Sequence, residues 1–253
     1  NSFCQSQFYV NEDIKISTGT ILYSAGSDLI VDTNANIINQ GNWTVVNPNV
    51  SLSAGSNITG SGSIQFKGIA NQFIDGNGNS IDCNIELDNA NHLRLKNINT
   101  GQPLPNTDLY FGGNFTFLQG HVITDNNKIV FKSGAAYTGA SDNAHIHGWC
   151  QKTGSSAFTF PVGNGVKLRT ASISAPSLST DQFLCKYFKS NPDTLYSTSL
   201  KDTVLKMVSL NEYWRIERIA GSSSVDVTLS WYDSFSGIIG NLSNMRVARW
   251  DGG

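Results

Sequence analysis

The chain has 253 residues and a net charge of −2; 39% of its residues are hydrophobic and only 14% are charged, against about 25% charged in an average globular domain. That length suits one large or two ordinary domains, and five Trp, thirteen Phe and eight Tyr exclude wholesale disorder. There is no run of Lys and Arg to displace counterions, which excludes strong nucleic-acid binding, and no apolar run approaches the ~18 residues of a membrane-spanning helix.

Asn, Ser, Thr and Gly stand where charge is missing. These residues form turns and strand surfaces and are poor in helices, so the fold class is all-β. Residues 1–13 read as a lead-in. Within them Cys4 and Ser6 occupy the −3 and −1 positions of a signal-peptide cleavage site; a short disordered lead-in explains the same residues.

From Ile14 short apolar pairs repeat: Ile14/Ile16, Ile21/Tyr23, Leu29/Val31, Trp43/Val45, Val50/Leu52 and Ile64/Phe66, with Ile37 and Ile58 as single centres between. Each pair has strand spacing. Gly, Asn, Asp or Ser separates nearly every pair, and such short strands bury a face only by stacking as rungs. The spacing predicts a right-handed parallel β-helix-like solenoid over 14–150, with three strands of about seven residues per coil of roughly 22. The pattern loosens through Ile85/Leu87, Leu93/Leu95, Leu109/Phe111, Phe115/Phe117 and Ile129/Phe131. Gln102–Asn106 interrupts it as a loop, because proline cannot donate to a ladder. Of 27 Asn, 21 fall at or before position 127, which reads as corner turns and stacked amides rather than chemistry.

From 151 the strands lengthen: Phe158–Phe160, Ala171–Ile173, Phe183–Tyr187, Tyr213–Ile216, Val225–Trp231 and Met245–Trp250. Long polar loops between them predict an antiparallel β-sandwich over 151–253, with only Thr198–Ser209 weakly helix-like. Asp251-Gly252-Gly253 follows the last predicted strand directly, so the sandwich is expected to be truncated. An edge beside Met245–Trp250 would then be open to pairing with another protein chain.

Gly60-Ser61-Gly62-Ser63-Ile64-Gln65-Phe66-Lys67-Gly68 followed by Gln72–Gly76 resembles the repeat of large exported surface proteins of Bacteroidota that leave the cell by type IX secretion. Thr138–Asn143 leading to Phe158–Gly163 is similar to their solenoid-to-sandwich junction. Glu212-Tyr213-Trp214, Val227–Trp231 and Ala248–Gly252 look like the strands that follow. The resemblance implies export through the periplasm to the cell surface or medium, and an adhesin-like role without shared catalytic residues. Asp193-Thr194-Leu195 and Asp202-Thr203-Val204 resemble the O-glycosylation signal of such proteins, on Thr194 and Thr203; an ordinary solvated loop is the preferred account of the same residues.

Candidate chemistry is sparse. Asp75, Asn77, Asn79 and Glu86 echo the oxygen donors of a calcium loop. Ser80 stands where that loop needs glycine, Asp82 where it needs an aliphatic residue, and a turn explains the Asp-Gly and Asn-Gly pairs, so no metal or other cofactor is expected. His145 and His147 project from one strand face, which reads as solvated; His92 and His121 carry no motif. Asp82, Glu86 and Asp88 read as one acidic stripe, with Arg94 and Lys96 a rung later. Glycosidase or lyase chemistry needs convergent groups instead. Cys4, Cys83, Cys150 and Cys185 contain no CxxC pair and hence no zinc ribbon; one or two disulfides, or small apolar fillers, both remain open. The expectation is a non-catalytic structural or adhesive segment. The alternatives are a carbohydrate-binding module with Trp43 or Trp149 as stacking platform, and a solenoid polysaccharide-active enzyme.

Overall fold

The computed structural model describes residues 7–96, 108–232, 236–237 and 242–251. Its first two thirds are a parallel β-solenoid of about six turns, with three strands to a coil. The first coil is β1 (Gln7–Val10), β2 (Ile14–Ile16) and β3 (Ile21–Ser24); the second is β4 (Asp28–Val31), β5 (Asn36–Asn39) and β6 (Asn42–Val45). The third is β7 (Asn49–Leu52) and β8 (Asn57–Phe66), and the fourth is β9 (Gln72–Asp75) and β10 (Ser80–Asp88). Then come β11 (Leu93–Leu95), β12 (Leu109–Phe111) and β13 (Asn114–Gln119), followed by β14 (Val122–Phe131) and β15 (Ala136–Thr138).

Every pairing among these strands is parallel. Gln7 pairs with Asp28 and Asp28 with Asn49, 21 residues apart each time, close to the expected coil. The solenoid begins earlier than expected. β1 pairs with β4 along its whole length, so Gln7–Val10 is a rung rather than lead-in; its inward pair is Phe8 and Val10, a single apolar pair ahead of the first clear repeat. The cleavage-site reading at Cys4 and Ser6, and the proline loop Gln102–Asn106, lie outside the described residues.

Long strands turn corners inside themselves. The first part of β8 pairs with β5 and its second part with β6, so one strand serves two faces of the solenoid. Gly60 sits at that bend with φ +124°, where a Cβ would run into the Asn39 carbonyl; only glycine has both the torsion and the space. The corner amides satisfy backbone groups there. Buried Asn39 donates to the Ser63 carbonyl at 3.0 Å and accepts the Gly41 N–H at 3.1 Å. Asn79 donates to the carbonyls of Leu52 and Ser53 at 3.1 and 3.0 Å and accepts the Gly55 N–H at 3.2 Å. The asparagines thus hold neighbouring coils together where strand ladders stop.

Inward side chains stack coil upon coil. One stack is Leu29, Val50, Ile74 and Leu95, and another is Trp43, Ile64, Ile85 and Phe115, all buried. The core turns aromatic toward the end: Phe111 meets Phe131 edge-on at 4.6 Å, and Phe115 lies 4.5 Å from Phe117.

β16 (Ile146–Thr153) is where the sheet changes character. It pairs parallel with β14 on one side and antiparallel with β19 (Gln182–Phe188) on the other, and β19 pairs antiparallel with β20 (Tyr213–Ala220). The boundary expected at 150/151 therefore runs through the middle of a strand. A second, small antiparallel sheet contains β17 (Phe158–Phe160), β18 (Ala171–Ile173) and β21 (Val227–Leu229). Phe158 packs 5.1 Å from Phe131 and 5.8 Å from Tyr137, which closes the apolar interior at this end. Buried Lys152 stacks over Phe131 in register and donates to the carbonyls of Lys132 and Ala135, both at 2.8 Å, capping a coil corner.

Two expectations change. Met245–Trp250 carries no strand; the chain there is irregular after a short turn of helix at Leu242–Asn244. Its alternating pattern lacks a partner among the described strands, and alternation without a partner is not a ladder. The helix-like segment Thr198–Ser209 holds only the single turn Thr198–Leu200.

Candidate functional site

Two places gather chemistry-bearing side chains, and both lie at the junction around β16. On its outward face, Lys186 of β19 lies opposite Arg215 of β20, and Phe188 opposite Tyr213. Alternation puts them there, because Cys185 and Tyr187 between them point inward. Trp149 of β16 completes the surface. Lys186 Nζ stands 5.3 Å and Arg215 Cζ 5.5 Å from its ring centre, and Phe188 meets it edge-on at 6.1 Å. Phe188 and Tyr213 stack 4.7 Å apart at 2°, and Tyr196 joins Tyr213 at 5.5 Å. Two like charges opposite one another would repel. Here the rings draw both cations in, and the Glu217 carboxylate pairs with Arg215. Desolvation lowers the Lys186 pKa, opposed by Asp125. The result is a half-buried aromatic patch edged with positive charge.

Trp149 is thus where a stacking residue would need to be. Trp43 is not: it is 1% exposed inside the solenoid and donates from its indole to Ser24 Oγ at 3.1 Å. Its i, i+2 partner Val45 is buried on the same face, which is what the repeat pattern itself dictates. Lys186, Arg215, Phe188 and Tyr213 went unnoticed in the sequence. Phe183–Phe188 and Tyr213–Ile216 alternate visibly, but which residues share a surface depends on the pairing register.

The second place is a corner ladder of histidines. His92, His121 and His145 each precede the residues Leu93, Val122 and Ile146, which are in register on successive coils. Their rings pack in tilted pairs with centroids 4.8 Å (His92 to His121) and 4.3 Å (His121 to His145) apart. The His121 amide donates to His92 Nδ1 at 3.1 Å, and the Gly165 amide donates to His145 Nε2 at 3.0 Å while His145 Nδ1 faces the Ser141 carbonyl at 2.9 Å. Both nitrogens of His145 are therefore engaged by backbone, and its ring is neutral with the proton on Nδ1. The solvated-face expectation is corrected for His145, which is fully buried, and kept for exposed His147. His145 sits at the corner before β16, whereas His147 lies within the strand.

Burial, with help from neighbouring imidazoles, pushes His121 down to about 4, and burial also lowers His92, His145 and His147. The charged groups facing this corner are Arg94, Asp125, Asp142 and Lys186; the carboxylates oppose the shift and the cations add to it. A folded-state pKa below the unfolded value means that the unfolded chain takes up protons first as pH falls. Stability should be full above about pH 6.5 and fall between there and pH 4, by on the order of 2 kcal/mol for His121. Urea midpoints at pH 7.5, 6, 5 and 4.5 would show it, and His121→Asn should flatten the profile. Equal midpoints throughout would dismiss the ladder as a titrating element.

The remaining expected sites separate. Asp75 closes β9, where its carboxylate accepts the Asn77 amide at 3.2 Å, whereas Glu86 lies on another face of the solenoid and accepts from Gln65 at 3.3 Å. Asn79 is committed to the corner described above. The four calcium donors do not converge, and no group of three His, Cys, Asp or Glu among the described residues is placed to hold a metal. The acidic stripe is also undone. β10 changes register between Asp82 and Asn84, so Asp82 faces one way and Glu86 and Asp88 another. Asp82 pairs with Lys132 at 2.7 Å and Asp88 with Lys67 at 3.3 Å. Arg94 pairs with Asp125 at 3.1 Å, and Lys96 sits over the Phe73 ring at 4.7 Å. Thr194 and Thr203 are exposed in one loop; Thr194 Oγ1 donates to the Asn191 carbonyl at 3.0 Å.

Among the described residues no helix is long and apolar enough to cross a membrane. No protein-family model, curated protein or solved structure matches this chain.

Proposed function

We propose that this chain is a non-catalytic structural and adhesive segment of a larger secreted cell-surface protein, exported via the periplasm. The observation that carries this reading is the distribution of the carboxylates along the solenoid. Asp82, Glu86, Asp88 and Asp108 are each engaged by a neighbour on its own face. Acid–base cleavage of a glycosidic bond needs two carboxyl groups a few ångströms apart across one bond, and these faces present ladders of single, satisfied groups instead. Outward stacks such as Thr44, Gln65 and Glu86, hydrogen-bonded at 3.3 Å from coil to coil, make long, flat polar surfaces suited to contact with polymers. β20 pairs on one side only among the described strands, so strand addition by a partner chain is a second mode of contact. The test has two arms. Purified protein incubated with neutral and acidic polysaccharides should release no new reducing ends or unsaturated sugars; bead-bound protein should retain extracellular polymer. Turnover of any polysaccharide would remove the non-catalytic reading.

A carbohydrate-binding module is the second reading, favoured by the patch of Trp149, Phe188 and Tyr213. A sugar ring stacked there would meet two cations, so acidic glycans are the expected class. On a glycan array Trp149→Ala should lower binding roughly 5- to 30-fold, from the ~1–2 kcal/mol of a stacking and cation–π contact. Unchanged binding would move the contact elsewhere.

A further inference from the structure

We propose that Cys150 and Cys185 form a cross-strand disulfide that staples the last coil of the solenoid to the antiparallel strand that follows it. The two residues are direct partners in the antiparallel pairing of β16 with β19. Directly opposed residues in such a pair have Cα atoms about 4.5–5.5 Å apart, inside the range of about 4.4–6.8 Å that disulfides require. Both side chains point inward from their strands and are completely buried, and both are free thiols in this structure. Burial raises both thiols well above the ordinary cysteine range.

The alternative partner is excluded by distance. Cys83 belongs to the fourth coil, three rungs before β16. At about 4.8 Å per rung that is roughly 14 Å, twice the reach of a disulfide. Cys83 is also buried and pushed up to about 12 by desolvation, the setting of an inert core thiol. Cys4 lies outside the described residues.

The position of the pair gives the bond its value. β16 is the strand on which the parallel sheet becomes antiparallel, and Cys185 lies 35 residues later in the chain, after the small hairpin β17–β18 that closes the core. A link here holds the cap to the rod. The reaction removes two protons and two electrons from the two thiols. A low-molecular-weight or protein disulfide oxidant accepts them: one cysteine thiolate attacks the oxidant, the second displaces it from the mixed disulfide, and the oxidant leaves as two thiols. Neither thiol is accessible in the folded chain, so bond formation belongs to folding, before β19 docks on β16. The proposal depends on strand register alone and not on the adhesive reading.

The experiment refolds the full chain in a mixture of oxidised and reduced glutathione, confirms folding by circular dichroism, blocks free thiols under denaturing conditions and digests with trypsin. A linked peptide pair, Ser133–Lys152 joined to Thr170–Lys186, is expected, with Cys83 recovered alkylated. The bond should survive dithiothreitol in the native protein and be reduced once urea is added. Oxidised protein should melt roughly 5–15 °C above the reduced form. Recovery of both Cys150 and Cys185 as alkylated thiols in the folded, oxidised protein, or linkage of either to Cys83 or Cys4, would overturn the assignment. A Cys83→Ala variant, which should still yield the linked pair, keeps the test independent of changes at the two cysteines themselves.

Discussion

Replacing Arg169 with methionine should destabilise the C-terminal third of the protein by about 3–5 kcal/mol, the usual cost of leaving one partner of a buried ion pair without the other. Arg169 is fully buried and binds the Glu212 carboxylate through Nε at 3.1 Å and Nη2 at 2.5 Å. Tyr187 donates to the same carboxylate at 2.7 Å, and Ser236 Oγ lies 2.6 Å from Nη2. The guanidinium is enclosed by the rings of Tyr187, Trp214 and Tyr232, 5.2–5.8 Å from its centre, and the Trp214 indole donates to the Arg169 carbonyl at 2.9 Å. Tyr187 and Trp214 belong to β19 and β20, Arg169 precedes β18, Glu212 precedes β20, and Tyr232 and Ser236 follow β21, so the network ties the antiparallel strands to the segments that flank the small sheet. Arg169→Met leaves an ionised carboxylate in an apolar cage. The double change Arg169→Met with Glu212→Leu should regain most of the loss, because it removes the stranded charge along with its partner. Urea unfolding followed by tryptophan fluorescence, which reports Trp214, would measure both. A single variant as stable as the parent would mean that the cage is wet enough to solvate Glu212, and a double variant no better than the single would place the stabilisation in the ring contacts.

The solenoid was legible in the sequence because each rung carries its own signal. An inward residue recurs at i, i+2, a turn residue follows, and the same stretch recurs about 21 residues later as its neighbour. Parallel stacking brings sequence-similar segments together, so the period in the sequence is the register in space. The antiparallel part has no such redundancy. β18 was predicted at its observed limits, Ala171–Ile173, yet nothing in those residues says that β17 and β21 flank it. The same limit explains the sites. Asp82, Glu86 and Asp88 alternate perfectly on paper, but β10 bends between Asp82 and Asn84, and one chain segment then belongs to two faces. The histidine ladder was missed because its members lie 29 and 24 residues apart in the sequence, spacings stretched by insertions that keep the rung register and break the sequence period. Arg169 and Glu212, far apart in the sequence, carried no local pattern at all.

Trp43→Ala should cost about 3–5 kcal/mol of stability, whereas Trp149→Ala should cost under about 1 kcal/mol, although both tryptophans sit in β-strands. Trp43 is among the largest fully buried side chains, enclosed with Val31, Val45, Ile58 and Ile64. The interior there is tightly filled; a void of only about 10 Å³ lies beside the indole, too small to collapse into. Truncation would therefore open a new cavity across the middle of coils two and three, and it would strip the Ser24 hydroxyl, itself buried, of its indole donor. Stacked coils share that space, so the loss should spread along the rod and not stop at one rung. Trp149 stands at the surface with a ring already contacted by Lys186, Arg215 and Phe188, and water can take the place it vacates. Paired thermal and urea denaturation of the two variants separates the roles that the sequence left together. A Trp43→Ala protein that keeps the parent's melting temperature would contradict the packing argument, and a Trp149→Ala protein that unfolds like Trp43→Ala would show the junction patch to be core rather than binding surface.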